Sequence, residues 1–193
     1  MHTGWPVPVK RFPDLTVATP RLHVRQLAAA DAEPVTGIFA DPRTRRWLPF
    51  PPRHLVVDGL AWCTDLAHER RHTGDGDHYG AVRREDGCLV ACLWTQRADW
   101  VSASVEVAYA VAPAARGFGV AGEAVDALAI ALLFEHGFER IEVRVAPGNI
   151  ASRRVAEKAG FTYEGVLRNA GSVHSGRVDV EMWSLVKADL KPS

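Results

Sequence analysis

The sequence predicts an α/β protein in which helices pack on a mixed sheet, and three observations carry that reading. A hairpin pattern runs through residues 78–96, and a strand, helix, strand, helix order follows it, so the fold is not a uniformly alternating doubly wound one. The chain has 193 residues, of which 47% are hydrophobic and 24% charged, enough for one domain with a packed core.

Taken in order, residues 1–18 carry Pro6, Pro8 and Pro13 with little periodicity and read as an extended N-terminal arm. Residues 19–193 form a single domain. From Arg21, Leu22 and Val24 alternate with His23 and Arg25 to give a strand. Ala29 to Phe39 then has Asp31 near its start and apolar residues at helical spacing. Trp47-Leu48-Pro49-Phe50-Pro51-Pro52 cannot continue a helix and sets aromatics beside rigid turns, as a pocket-lining loop would. Asp58 to Arg71 reads as a second helix. Asp75-Gly76-Asp77 breaks the chain before strands His78–Arg84 and Cys88–Gln96, joined across Glu85-Asp86-Gly87. Ser102 to Ala112 is another strand. A glycine-rich turn, a long helix to His136, a strand Arg140–Ala146 and a short helix Ile150–Ala159 follow, then strands around Thr162–Leu167 and Val178–Val186.

Charge and cysteine usage narrow the partners. Lysine plus arginine number 23 and so do aspartate plus glutamate, so no basic surplus points to nucleic acid. The longest strongly apolar run, Ala127 to Phe134, is far short of the ~20 residues of a membrane helix, and no hydrophobic segment precedes Lys10 and Arg11; a cytoplasmic protein with no membrane partner is expected. Cys63, Cys88 and Cys92 form no CxxC pair and read as buried small hydrophobes.

Three motifs compete for the function. Gly117-Phe118-Gly119-Val120-Ala121-Gly122 matches GxGxxG between a strand and a helix, with Glu142 20 positions past the last glycine, which suggests a nicotinamide site. Against this, Pro113-Ala114-Ala115-Arg116 separates the strand from the glycines, and Glu142 falls early in its strand. The segment reads better as Arg116-x-x-Gly119-x-Ala121, a loop whose N–H groups gather at a helix N-terminus and hold a pyrophosphate. His68-Glu69-Arg70-Arg71-His72 is a literal HExxH. Yet the apolar stripe of its helix is Leu60, Cys63 and Ala67, which turns both histidines toward solvent, and two arginines repel a dication; no metal is expected. In the third motif Asn149 caps a helix ending at Gly160, with Asn149, Ser152 and Ala156 on one face. A cofactor lying across the phosphate loop and this helix would meet Asn149 and Ser152.

Together Val111 to Ala121, Asn149 to Phe161 and Glu164-Gly165-Val166-Leu167-Arg168 resemble the GNAT acetyltransferases, and within them the RimJ/RimL-like branch. Thr19-Pro20-Arg21-Leu22-His23-Val24-Arg25 and the loop from Trp47 to Pro52 extend the likeness over about residues 19–187. The resemblance implies a splayed, mostly antiparallel sheet flanked by helices, with acetyl-CoA as donor and a primary amine attacking the thioester directly. It places cofactor contacts on Val111, Arg116, Gly117, Phe118, Gly119, Val120, Ala121, Gly122, Asn149 and Ser152. It also implies a homodimer, and in many members a bulge in the strand before the loop that offers a backbone N–H to the thioester.

Such chemistry needs a base for the ammonium and a donor for the departing thiolate. Ser104, Glu106, Ala108 and Ala110 alternate onto one strand face, leaving Glu106 as candidate base among small residues. Many relatives place a tyrosine where this chain has Ala156, and RimL-like members resemble it in a serine at Ser152, the candidate acid. Those members use a glutamate shortly after the Glu-Gly-Val-Leu-Arg segment, where this chain reads Asn169-Ala170-Gly171. The acceptor is a protein N-terminus or a small-molecule amine. The alternatives are a module that binds acyl-CoA without turnover, or a transferase of another acyl group such as succinyl.

Overall fold

In the computed structural model, residues 10–49 and 58–190 are described. Their centre is an eight-stranded sheet in the order β1-β2-β3-β4-β5-β6-β8-β7. The strands are β1 (Thr16–Ala18), β2 (Leu22–Gln26), β3 (His78–Arg83), β4 (Leu89–Asp99), β5 (Ser104–Val111), β6 (Arg140–Val145), β7 (Thr162–Val173) and β8 (Gly176–Val186). Neighbours are antiparallel except β5 and β6, which run parallel because a helix carries the chain from one to the other.

That connection is α5 (Val120–Phe134), whose alanines let its backbone approach the sheet and whose Val125, Leu128 and Leu132 are fully buried. With α6 (Ile150–Lys158) it covers the face that presents Val24, Ala91, Leu93, Val105, Val107 and Val143. The opposite face presents Cys92, Trp94 and Ala110 to α1 (Ala32–Ala40) and α3 (Gly59–Cys63), through Val35, Ile38, Phe39 and Cys63. Two cores thus lie on the two faces of one sheet, as the alternation of side chains along a strand requires.

The structure departs from the sequence reading in several places. Residues 12–18 are no free arm, since Phe12 and Leu15 are fully buried, Phe12 lies against Trp100 and Phe138, and Thr16–Ala18 pairs with β2. The helix expected over 58–71 is two, α3 and α4 (Asp65–Thr73), broken at Thr64 with φ −120° and ψ −87°. Of the expected stripe, Cys63 and Ala67 are buried but Leu60 is 53% exposed. A short helix α2 (Pro42–Arg46) was not foreseen; Asp41 caps it by accepting from the Thr44 N–H, with proline in its first turn. Cys88 is exposed, while Cys63 and Cys92 are buried. Of the proline-aromatic loop, Phe50 to Pro52 lie outside the described residues. No described helix is long and apolar enough to cross a membrane.

Candidate active site

β5 and β6 share three rungs, Ser104 with Arg140, Val105 with Ile141 and Glu106 with Glu142, and there the pairing stops although β5 runs on to Val111 and β6 to Val145. The sheet is therefore split along its middle beyond Glu106. Register with β4 is unbroken from Gln96–Glu106 to Ala91–Val111, so β5 lacks the bulge that the resemblance implied. The irregularity is on β4, between Gln96 and Asp99. Ala112 donates its N–H to the Val90 carbonyl, so by alternation the N–H groups of Ala108 and Ala110 also face β4. Those of Tyr109 and Val111 face the split.

The glycine-rich loop stands at the end of β5. Gly119 precedes α5 with φ +76°, a conformation open to glycine at little cost, and makes no side-chain cap. The first-turn N–H groups of α5 thus lack both intrahelical and capping acceptors, whereas α2, α3 and α6 are capped by Asp41, Asp58 and Asn149. A Cβ at Gly117 would meet nothing within 4 Å, and one at Gly119 only Arg21 Nη2 at 3.7 Å, so the loop is open on its outer side. Such a cradle suits the phosphates of a nucleotide. Two guanidiniums brace it: Arg21 donates to the Phe118 carbonyl (2.8 Å) and to Glu123 (2.6 Å), and Arg116 donates to Asp41 (2.5 Å) and Thr44 (3.0 Å). The Arg116 side chain therefore ties the loop to α2 and holds the Asp41 carboxyl below its usual range, leaving the backbone N–H groups and α5 start as the anion-facing part. Phe118, 69% exposed, projects from the loop.

Glu106 sits at the apex of the split, buried, with Gln96 Nε2 donating to Oε1 at 2.8 Å. Arg97 Nε lies 3.0 Å and Arg144 Nε 3.4 Å from Oε2, close enough to pair in charge, but no N–H is aimed at that oxygen. Burial outweighs the hydrogen bond from Gln96 and the two guanidiniums and pushes the carboxyl above its usual range. The result is a desolvated carboxylate whose buried Oε2 accepts no hydrogen bond. Arg97 reaches it from a left-handed backbone position (φ +53°) at the β4 irregularity. Next to Gln96, which accepts from Trp94 Nε1 at 3.2 Å, lies an aromatic group of Phe39, Trp62, His78 and Trp94.

On the other face, α6 begins where Asn149 Oδ1 accepts from the Ser152 N–H at 3.2 Å. Asn149 thus caps the helix as its position suggested, and its amide NH2 remains for a ligand. Ser152 Oγ is 2.6 Å from the Tyr109 hydroxyl, a bond that joins β5 to α6 beside the split. Ala156 is wholly buried. The sequence reading did not single out Tyr109; the signal available was a hydroxyl-bearing side chain on the odd face of β5.

The competing motifs do not assemble sites. His68 and His72 are exposed, and among the described residues no group of three or more His, Cys, Asp or Glu is placed to hold a metal ion. Glu142 is engaged by Arg140 at 2.9 Å near the start of β6, not at a strand exit where a ribose would lie.

The sheet is thus split, with an uncapped, glycine-started helix at the mouth of the split and a buried carboxylate at its apex. Residues 21–162 match the acetyltransferase (GNAT) domain model, and the chain belongs to that family. It is 26% identical over 182 residues to the uncharacterized N-acetyltransferase p20 of Bacillus licheniformis, covering 90% of this chain and 97% of that protein. Its fold matches RimJ of Mycobacterium smegmatis in complex with CoA-disulfide, with a TM-score of 0.81, 24% identity, and 93% and 90% of the two chains covered. It also matches ribosomal-protein-S5-alanine acetyltransferase of Vibrio fischeri, with a TM-score of 0.77, 19% identity, and 93% and 100% covered.

Proposed function

We propose that this chain is a cytoplasmic N-acetyltransferase that moves the acetyl group of acetyl-CoA to a primary amine, a peptide N-terminus or a small molecule. The observation that carries the reading is the opening between β5 and β6, bounded by the uncapped start of α5 and by Glu106. The first-turn N–H groups of α5 and the loop 116–122 hold the pyrophosphate, and the Tyr109 and Val111 N–H groups line the arm that enters the split.

Glu106 takes the proton from the incoming ammonium, directly or through water, at Oε2, the oxygen that accepts no hydrogen bond within the fold. Its raised proton affinity brings it nearer to the amine it serves. The freed amine attacks the thioester carbon, the C–S bond breaks, and Ser152 donates a hydrogen bond to the departing sulfur. That sulfur leaves as thiolate and takes a proton from solvent, to which the new amide nitrogen gives up its second one. Asn169-Ala170-Gly171 offers no carboxylate, which favours Glu106 as the base and weakens the transfer of ribosomal-protein specificity to this chain.

The test is thiol release from acetyl-CoA with short peptides beginning in alanine or serine and with small primary amines, each product identified by mass. Transfer to one amine class is expected. Tight CoA binding with no transfer to any amine would instead mark a non-catalytic acyl-CoA module, and faster release from succinyl-CoA a different donor.

A further inference from the structure

Tyr109 stands three residues past Glu106 on β5, beyond the last rung shared with β6, with its N–H toward the split and its ring on the face covered by α5 and α6. Its hydroxyl meets two atoms of Ser152, Oγ at 2.6 Å and the carbonyl oxygen at 3.3 Å. Burial raises the phenol's proton affinity well above its usual value, so this hydroxyl keeps its one proton. Of the two acceptors within its reach, Oγ at 2.6 Å is much the closer, and the carbonyl at 3.3 Å the weaker. A serine hydroxyl has one proton. If it spends that proton on Tyr109, nothing is left for a leaving sulfur; if Tyr109 donates to Oγ, the serine proton is free to point elsewhere.

We propose that Tyr109 is a positioning residue of the transfer step: by donating to Ser152 Oγ it directs the serine proton away from β5 and toward the departing sulfur. The inference rests on the assignment of Ser152 above. It also accounts for Ala156, since the hydroxyl that many relatives carry on α6 is here supported from β5. No proton leaves the tyrosine. Glu106 takes one ammonium proton and later gives it to solvent, the C–S bond breaks as the amide C–N bond forms, the nitrogen loses its second proton to solvent and the thiolate takes one from it, so Tyr109 and Ser152 end the cycle as they began it.

The experiment is a double-mutant cycle on Tyr109→Phe and Ser152→Ala, with acetyl-CoA and the amine found in the transfer screen. Thermal midpoint and CoA affinity are measured for each variant. Tyr109→Phe keeps the ring and its packing, so CoA affinity and KM for acetyl-CoA should stay within about twofold while kcat falls about 5- to 10-fold, the scale of one neutral hydrogen bond. Once Ser152 is alanine, the same change should cost no further kcat. A Tyr109→Phe loss that multiplies with the Ser152→Ala loss would overturn the proposal, as would an unchanged kcat for Tyr109→Phe beside a slow Ser152→Ala. Full activity of Ser152→Ala would remove the assignment beneath it, and absence of transfer by the parent protein would remove the transferase reading; either outcome overturns the inference as well.

Discussion

Glu106 is held by one hydrogen bond from Gln96 and two guanidiniums that neutralise it without aiming a proton at Oε2. Because burial raises its pKa in the fold, its neutral form is favoured by folding. The stability from that form is present below the unfolded carboxylate range and lost as pH rises through the folded value. Glu106→Gln, neutral at every pH, should therefore match or exceed the parent's thermal midpoint at pH 7. Its kcat should fall by about 10²- to 10⁴-fold, the usual reach of a general base, and the acid limb of the pH–rate profile should disappear. Calorimetry with a pH-rate series checks both; a parental limb in the variant would assign the base elsewhere. His78 titrates with the opposite sign. Buried, stacked on Trp62 at 4.1 Å and 2.8 Å from the Trp62 carbonyl, its imidazole is lowered from 6.5 to about 4, chiefly by burial. Its stabilisation is full above about pH 6.5 and is lost as pH falls from there toward about 4. His78→Phe, which retains a ring against Trp62, should flatten the fall of thermal midpoint across that window.

At the scale of elements, the helices on the face of Cys92 and Trp94 meet through a glycine. A Cβ on Gly59 would lie 2.2 Å from the Ala32 carbonyl oxygen and 2.3 Å from Thr36 Oγ1, so α3 crosses α1 at backbone contact. Gly59→Ala should force these helices apart and cost about 1–3 kcal/mol by denaturant titration, the usual range for overpacking. The elements built on strong local signals were legible from sequence. α5 is a small-apolar run interrupted only by Glu123 and Asp126, α6 has Asn149 as cap and Gly160 as stop, and the hairpin of β3 and β4 turns at Glu85-Asp86-Gly87. The break at Thr64 was not legible, because helical periodicity continues through it and only packing onto α1 and the sheet selects the kink. α2 was legible in principle, in the Asp41-Pro42 start that a cap and a first-turn proline make. β1 was not: three residues beside four prolines become a strand only because β2 offers them an edge, and Phe12 and Leu15 a core.

The whole molecule is organised around a sheet that is deliberately incomplete in its middle. One core glues α5 and α6 to one face and a second glues α1 and α3 to the other, so the two halves are held without the rungs that β5 and β6 omit past Glu106. Sequence could single out the loop, Asn149, Ser152 and Glu106 as candidates, since each belongs to a local pattern. It could not show that Arg97 and Arg144 close on Glu106 or that Tyr109 reaches Ser152, because those contacts join strands and helices far apart in the chain. The omitted rungs leave the Tyr109 and Val111 N–H groups facing the split, while Ala110 already faces β4. If the pantetheine arm supplies the missing partners, adding CoA should slow hydrogen exchange at Tyr109 and Val111 and leave Ala110, already protected, nearly unchanged. At about 100 times its dissociation constant CoA should also stabilise the fold by ~2.7 kcal/mol, with NAD and NADP giving no shift. Protection confined to residues 116–122 would mean that the phosphates are held at α5 while the arm lies outside the sheet. The thioester would then be far from Glu106, and the split would have to serve the acceptor instead of the donor.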